Sequence, residues 1–203
     1  MRGIYAIVDE DGRDPVAIAR AALAGGVRIL QYRAKHGIVA ATARALRRAT
    51  LECGALCIMN DDAEAAMTHD FDGVHVGPDD PGFADVASLR ALLGERVIGV
   101  SCGTVAEAVA AEASGADYIG VGAVYVTKSK ADAGEPMGIE GLKGIAAATI
   151  LPVAAIGGIG LASIPAIRAT GVAMAAVISA IADARDPRAA AEALVLMWNE
   201  GSV

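Results

Sequence analysis

Short runs of β-branched and apolar residues alternate along the chain with longer stretches rich in Ala, Leu and Arg, whose apolar positions recur at helical spacing. The spacing predicts eight strands, over 3–8, 27–33, 55–59, 71–76, 96–101, 117–122, 152–156 and 173–179, each followed by a helix. Local signals agree. Asp14-Pro15 reads as an N-cap with Pro at the first helical position, and Thr104 with Glu107 reads as a capping box. Gly25, Gly54, Gly115 and Gly171 stand where helices should stop. Runs such as V-I-G-V, Y-I-G-V-G and A-A-V-I-S lack polar alternation, as expected of parallel strands covered on both faces.

Eight such units without a composition break predict an α/β fold, a single (β/α)8 TIM barrel spanning 1–203. A doubly wound open sheet is the rival, but the first strand-to-helix turn lacks G-x-G-x-x-G. Residues 144–167 carry no charge and are long enough for a membrane helix. Pro152, Pro165 and the glycines at 157, 158 and 160 divide that stretch, so it is predicted to be helix end, buried strand, glycine turn and helix start.

With 203 residues, 55% of them hydrophobic and 20% charged, the chain can bury a large core, and disorder is excluded. The net charge of −7 argues against a nucleic-acid partner or an anionic membrane surface, so an anionic ligand must be held by local groups. Cys53, Cys57 and Cys102 lack C-x-x-C spacing and are read as reduced, packed thiols. Met1-Arg2-Gly3 opens an apolar run that Asp9, Glu10 and Asp11 stop at once, unlike a signal peptide. A cytoplasmic location is expected, and homo-oligomerisation is left open.

In such a barrel the chemistry belongs at the carboxyl ends of the strands. The polar residues predicted there are Gln31, Arg33 and Lys35, then Asn60, Asp61 and Asp62, then His75, Asp79 and Asp80, and Ser101. The second half adds Thr127, Lys128, Ser129 and Lys130, the Gly157-Gly158 pair, and Ser179. Lysine is scarce, yet Lys35, Lys128 and Lys130 fall on this face with Arg33, a mixture suited to phosphate oxygens; ordinary solvated loop charge is the plain alternative. Asp61 and Asp80, on neighbouring strands, could share one Mg2+, which takes few protein carboxylates and completes its shell with water and phosphate. Asp61 could instead cap a helix, and Asp80-Pro81 could merely start a turn.

Gly157-Gly158 with Ile178-Ser179 occupies the position where barrels often hold a phosphate monoester, although a tight turn would use the same glycines. His75 is read as a hydrogen-bonded structural histidine, and Cys102 has no evident base. Tyr118, Tyr125 and Trp198 are read as packing residues.

These motifs resemble one family, the thiamine-phosphate synthases, in order over nearly the whole chain. Q-Y-R-A-K at 31–35 is similar to its Q-x-R-x-K, M-N-D at 59–61 to its N-D, and G-V-H-V-G-P-D-D at 73–80 to its G-V-H-L-G-Q-x-D. I-G-V-S at 98–101, A-D-Y-I-G-V-G-A-V-Y-V-T-K-S-K at 116–130, A-I-G-G-I at 155–159 and V-I-S-A-I at 177–181 complete the likeness. The resemblance implies that Gln31, Tyr32, Arg33, Ala34, Lys35, Asn60, Ser101 and Lys130 bind an aminopyrimidine diphosphate and that Asp61 and Asp80 hold Mg2+. It implies that Thr127, Lys128, Ser129, Gly157, Gly158, Ile178 and Ser179 bind a thiazole phosphate. Arg33, Lys35, Lys130 and Ser101 would then act on the departing diphosphate.

Three positions depart from the family pattern. Pro78 stands for glutamine, Asp62 adds a negative charge beside the expected metal, and Gly103 stands where histidine is frequent. A thiazole tautomerase of the same barrel is opposed by Ala123, where that relative carries histidine, and by the presence of Asp61. A barrel isomerase or aldolase would need an acid/base pair or a lysine inside a strand, and a non-catalytic thiazole-phosphate sensor would turn nothing over.

Overall fold

The computed structural model describes residues 1–78, 80, 82–83, 85–127 and 134–200. Eight strands, β1 (Gly3–Asp9), β2 (Ile29–Arg33), β3 (Leu56–Asn60), β4 (Gly73–Val76), β5 (Val97–Cys102), β6 (Tyr118–Val121), β7 (Val153–Ile156) and β8 (Met174–Val177), close in chain order into one parallel barrel. Around it lie α1 (Pro15–Ala24), α2 (Ala40–Glu52), α3 (Ala63–Thr68), α4 (Val86–Leu93), α5 (Val105–Ala113), α6 (Gly138–Ala146) and α7 (Ile164–Arg168). A short α8 (Ser179–Ala182) precedes the closing helix α9 (Pro187–Asn199). None of the helices among the described residues is long and apolar enough to cross a membrane.

The predicted caps are present. Asp14 accepts from the backbone N–H groups of Val16 and Ala17 ahead of Pro15, and Thr104 and Glu107 form a reciprocal capping box. Gly25 ends α1 for a different reason from the other helix-stop glycines. Its φ is −77°, so no left-handed turn is needed there, but a Cβ would lie 2.6 Å from the Cβ of Ala191 on α9. Predicted strand 8 was too long, because the chain turns at Ile178 and Ser179 already begins α8.

Strand periodicity splits the apolar residues into two layers. Tyr5, Ile7, Ile29, Ile58, Tyr118, Ala154, Met174 and Ala176 point into the barrel. Ile4, Ala6, Val8, Leu30, Tyr32, Cys57, Met59 and Ile119 pack outward under the helices. Inward glycines on β5 and β6 leave room for two rings: a Cβ at Gly99 would lie 2.1 Å from Tyr118, and one at Gly120 would lie 2.9 Å from His75.

At the amino ends of the strands a device appears twice. The Asp72 carboxylate accepts from the backbone of Cys57 at 2.8 Å and pairs with Arg47 of α2 at 2.9 Å. Asp117 likewise accepts from Ile98 at 2.7 Å and pairs with Arg90 of α4 at 2.5 Å. In both, an aspartate just before the next strand and an arginine of the preceding helix lock the entry of a strand, at the end of the barrel that serves stability rather than chemistry.

Candidate active site

At the carboxyl ends of the strands lies a cavity of about 370 Å³. Its wall brings together Gln31, Arg33, Lys35, Asn60, Asp61, Asp80 and Ser101 with Thr127, Gly157, Gly158, Ile178 and Ser179. Two expected residues do not line it. Tyr32 is fully buried in the outer layer, where its hydroxyl donates to Glu10 at 2.8 Å and accepts from the Val39 backbone at 3.2 Å. Ala34 packs against the same outer core. The reason is parity: on β2 the inward positions are Ile29, Gln31 and Arg33, so Tyr32 must face the helices. Lys128, Ser129 and Lys130 lie outside the described residues.

Asp61 and Asp62 divide their work in the reverse of the capping alternative. Asp62 caps α3 by accepting from Ala65 at 2.8 Å, which directs its charge at a helix N-terminus rather than at the site. Asp61 has φ +68°, outside the extended backbone of a usual N-cap, and its carboxylate meets Lys35 Nζ at 2.5 Å. Lys35 also lies 3.5 Å from Asp80, whose other oxygen accepts from the backbone of Gly77 at 2.6 Å. Burial opposes the charge on Lys35, but the two carboxylates outweigh it and hold the ammonium above its usual pKa. Burial and the hydrogen bond with Asp80 push Asp61 up to about 6. Burial also works against ionised Asp80, but its bonds from Asp61, the Gly77 N–H and Lys35 bring it below the ordinary range.

Two adjoining carboxylates, one retaining a proton easily, form a hard oxygen donor set that fits Mg2+. No cluster of three or more His, Cys, Asp or Glu residues suited to a metal occurs among the described residues, so water and ligand oxygens would have to complete the shell.

Polar side chains inside the barrel form a continuous chain across the cavity floor. Gln31 donates to the Tyr5 hydroxyl at 2.8 Å, Tyr5 and Tyr118 share a hydrogen bond of 2.9 Å, and Tyr118 meets His75 Nδ1 at 2.9 Å. His75 Nε2 then meets Ser101 Oγ at 3.0 Å. His75 thus bridges Tyr118 and Ser101 while lining the cavity, and Tyr118 does more than pack. Tyr5 escaped notice altogether, although the parity of β1 places it inward. Burial raises the pKa of both tyrosines, so they stay neutral hydrogen-bonding groups. Cys102 borders the cavity, but burial and the nearby Glu107 charge push its thiol up to about 12, which makes it a poor nucleophile. Asp9, at the end of β1, marks in sequence only the end of an apolar run; its carboxylate is bonded to Arg33 Nη1.

The glycine pair after β7 is required by geometry before any ligand is considered. Gly157 and Gly158 have φ of +100° and +66°, and a Cβ on the second would come within 2.5 Å of the Val126 carbonyl. The segment after β6 runs along them, with Tyr125 donating to the Gly157 carbonyl at 3.0 Å. α8 starts at Ser179 on the same rim.

Fold and cavity together define a (β/α)8 barrel of the kind that works at the carboxyl ends of its strands. The family model described as thiamine monophosphate synthase matches residues 4–181. A thiamine-phosphate synthase of Caldivirga maquilingensis is 41% identical over 204 residues, covering 98% of each chain. One of Anaeromyxobacter dehalogenans is 43% identical over 202 residues, covering 98% of this chain and 89% of the relative. Among solved structures, the thiamine phosphate pyrophosphorylase from Pyrococcus furiosus superposes with a TM-score of 0.90 at 35% identity, covering 98% of this chain and 96% of that one. The chain belongs to the thiamine monophosphate synthase family.

Proposed function

We propose that this barrel joins 4-amino-2-methyl-5-(diphosphooxymethyl)pyrimidine to 4-methyl-5-(2-phosphooxyethyl)thiazole, giving thiamine phosphate and diphosphate. As a member of its family the chain is a transferase of thiamine biosynthesis. The observation that carries the finer reading is that one cavity at the strand ends is lined by Arg33, Lys35, Asp61, Asp80 and Ser101 together with Thr127, the glycine pair and Ser179. A diphosphate and a phosphate monoester would need two anion sites facing one space, and these residues could supply both.

In this reading the aminopyrimidine lies over the Gln31–Tyr5–Tyr118–His75–Ser101 chain, with its diphosphate toward Arg33 and Lys35. The C–O bond to diphosphate breaks and its electron pair leaves with the diphosphate. The electron-rich ring stabilises the methylene cation that remains, and the thiazole nitrogen lone pair then forms the new C–N bond. Arg33 and Lys35 offset the growing negative charge, and Ser101 donates to the same group. Lys130 is assigned to this task by resemblance, as Lys128 and Ser129 are to the thiazole phosphate. Mg2+ held by Asp61 and Asp80 would supply Lewis-acid neutralisation of the diphosphate. The barrel's largest contribution is placement, since no covalent enzyme intermediate is needed.

Incubation with both substrates and Mg2+, following diphosphate and thiamine phosphate together, tests the reading. Equal amounts of both products are expected. Thiazole isomerisation without diphosphate release would replace it with the tautomerase reading.

A further inference from the structure

Arg33 is held by a carboxylate that belongs to none of the substrate or metal sets described above. Asp9 is the last residue of β1 and pairs with Arg33 across the β1–β2 ladder. Both of its oxygens are engaged: Oδ2 accepts from Arg33 Nη1, and Oδ1 accepts from the Asp11 backbone at 3.1 Å. The turn leaving β1 therefore sets the carboxylate, and the carboxylate sets the guanidinium. Arg33 lines both the main cavity and a neighbouring one of about 330 Å³, whereas Asp9 lines only the neighbour. Asp9, in register with Arg33 and so on the same face of the ladder, thus meets Arg33 without itself lining the main cavity.

Two relations between such a pair are conceivable, and they have opposite signs. Asp9 could compete with an incoming anion for Arg33, or it could fix Arg33 so that the anion finds its donors in place. A guanidinium carries five N–H donors in a planar fork, and the bond to Asp9 uses Nη1. A long side chain tied at one edge also loses little further freedom when it binds.

We propose that Asp9 is a positioning residue for Arg33, aiming its remaining donors at an oxyanion in the main cavity. The proposal rests on the functional reading above in taking that oxyanion to be the diphosphate end of the substrate.

The test uses the full chain, inorganic pyrophosphate with Mg2+ as the calorimetric probe, and steady-state turnover of both substrates. Asp9→Ala is expected to weaken pyrophosphate binding and lower kcat by about ten- to a hundredfold, the usual cost of a misplaced group. KM for the thiazole phosphate should stay unchanged. Asp9→Asn, which keeps volume and an acceptor for Nη1, should recover most of the loss and serves as the test if the alanine variant does not fold. In an Arg33→Ala background, Asp9→Ala should have no further effect, because its action runs through Arg33.

Pyrophosphate binding as tight as or tighter than wild type in Asp9→Ala overturns the proposal, and so does an undiminished effect in the Arg33→Ala background. Wild-type binding of pyrophosphate without thiamine phosphate formation would sink the reaction while the Asp9 cycle still decides the proposal. Failure of the wild type to bind pyrophosphate overturns both.

Discussion

Replacing Lys35 by alanine should move two properties in opposite directions. Its ammonium lies 2.5 Å from Asp61 and 3.5 Å from Asp80, so any cation seeking those oxygens must first displace it. The side chains of Lys35, Asp61 and Asp80 are 39%, 22% and 12% exposed, and solvent screening is therefore substantial. The competition is then worth roughly 1–2 kcal/mol, well below the dry-interior limit. That corresponds to about five- to thirtyfold tighter Mg2+ binding in Lys35→Ala. Turnover should nevertheless fall by at least about tenfold, because in the proposed reaction the same ammonium offsets the charge of the departing diphosphate. Metal affinity should be measured by calorimetry without substrate at pH 8, since removing Lys35 lifts the Asp61 carboxyl further above its present pKa of about 6. Weaker metal binding in the variant, or unchanged turnover, would refute the view that one lysine both guards the carboxylates and serves the diphosphate.

In the unaltered protein, Asp61 ionises near pH 6 and a metal takes the ionised form, so apparent Mg2+ affinity should be full above pH 7. It should fall by about tenfold per unit below 6, and a flat titration from pH 5 to 8 would remove Asp61 from the metal set. Without metal, the fold binds the Asp61 proton more tightly than the unfolded chain does, so this group's contribution to stability should decline as pH rises from about 4 to 6. Thermal melts with and without Mg2+ would show it, and Mg2+ should restore stability at the upper end. Tyr32→Phe should cost about 1 kcal/mol through the lost Glu10 and Val39 bonds, with kcat changed less than twofold; a large kcat loss would return Tyr32 to substrate contact. Asp72→Ala should destabilise by about 2–3 kcal/mol in urea unfolding with KM values unchanged, because it strands the Cys57 N–H and leaves Arg47 only the longer, exposed contact with Asp70 at 3.4 Å.

The eight-unit alternation was legible in the sequence because parallel strands buried on both faces need unbroken apolar runs, and the helices that cover them need period and caps. Closure followed from counting those units. The rim residues Gln31, Arg33, Lys35, Asn60, Asp61, Asp80 and Ser101 were legible too, since strand order and strand ends assign them to one face, and in the structure they share one cavity. What a linear reading passed over was parity within a strand: the Q-Y-R-A-K run looks uniform as a motif, yet its tyrosine faces the helices while its neighbours face the barrel.

Other features depend on groups that are adjacent only after the chain has closed. Asp61 and Asp62 are indistinguishable as letters before an alanine-rich helix, and a single positive φ sends one to the cavity and the other to the cap. The Tyr5–Tyr118 bond joins residues 113 positions apart, and Arg33 meets Asp9 from 24 positions away. Local propensity and periodicity act over a few residues, so the sequence by itself determined the elements, their order and the face on which chemistry collects. Hydrogen-bond partners and charge pairs act across the barrel at distances of a few ångströms, and only the tertiary structure decided which carboxylate holds which cation.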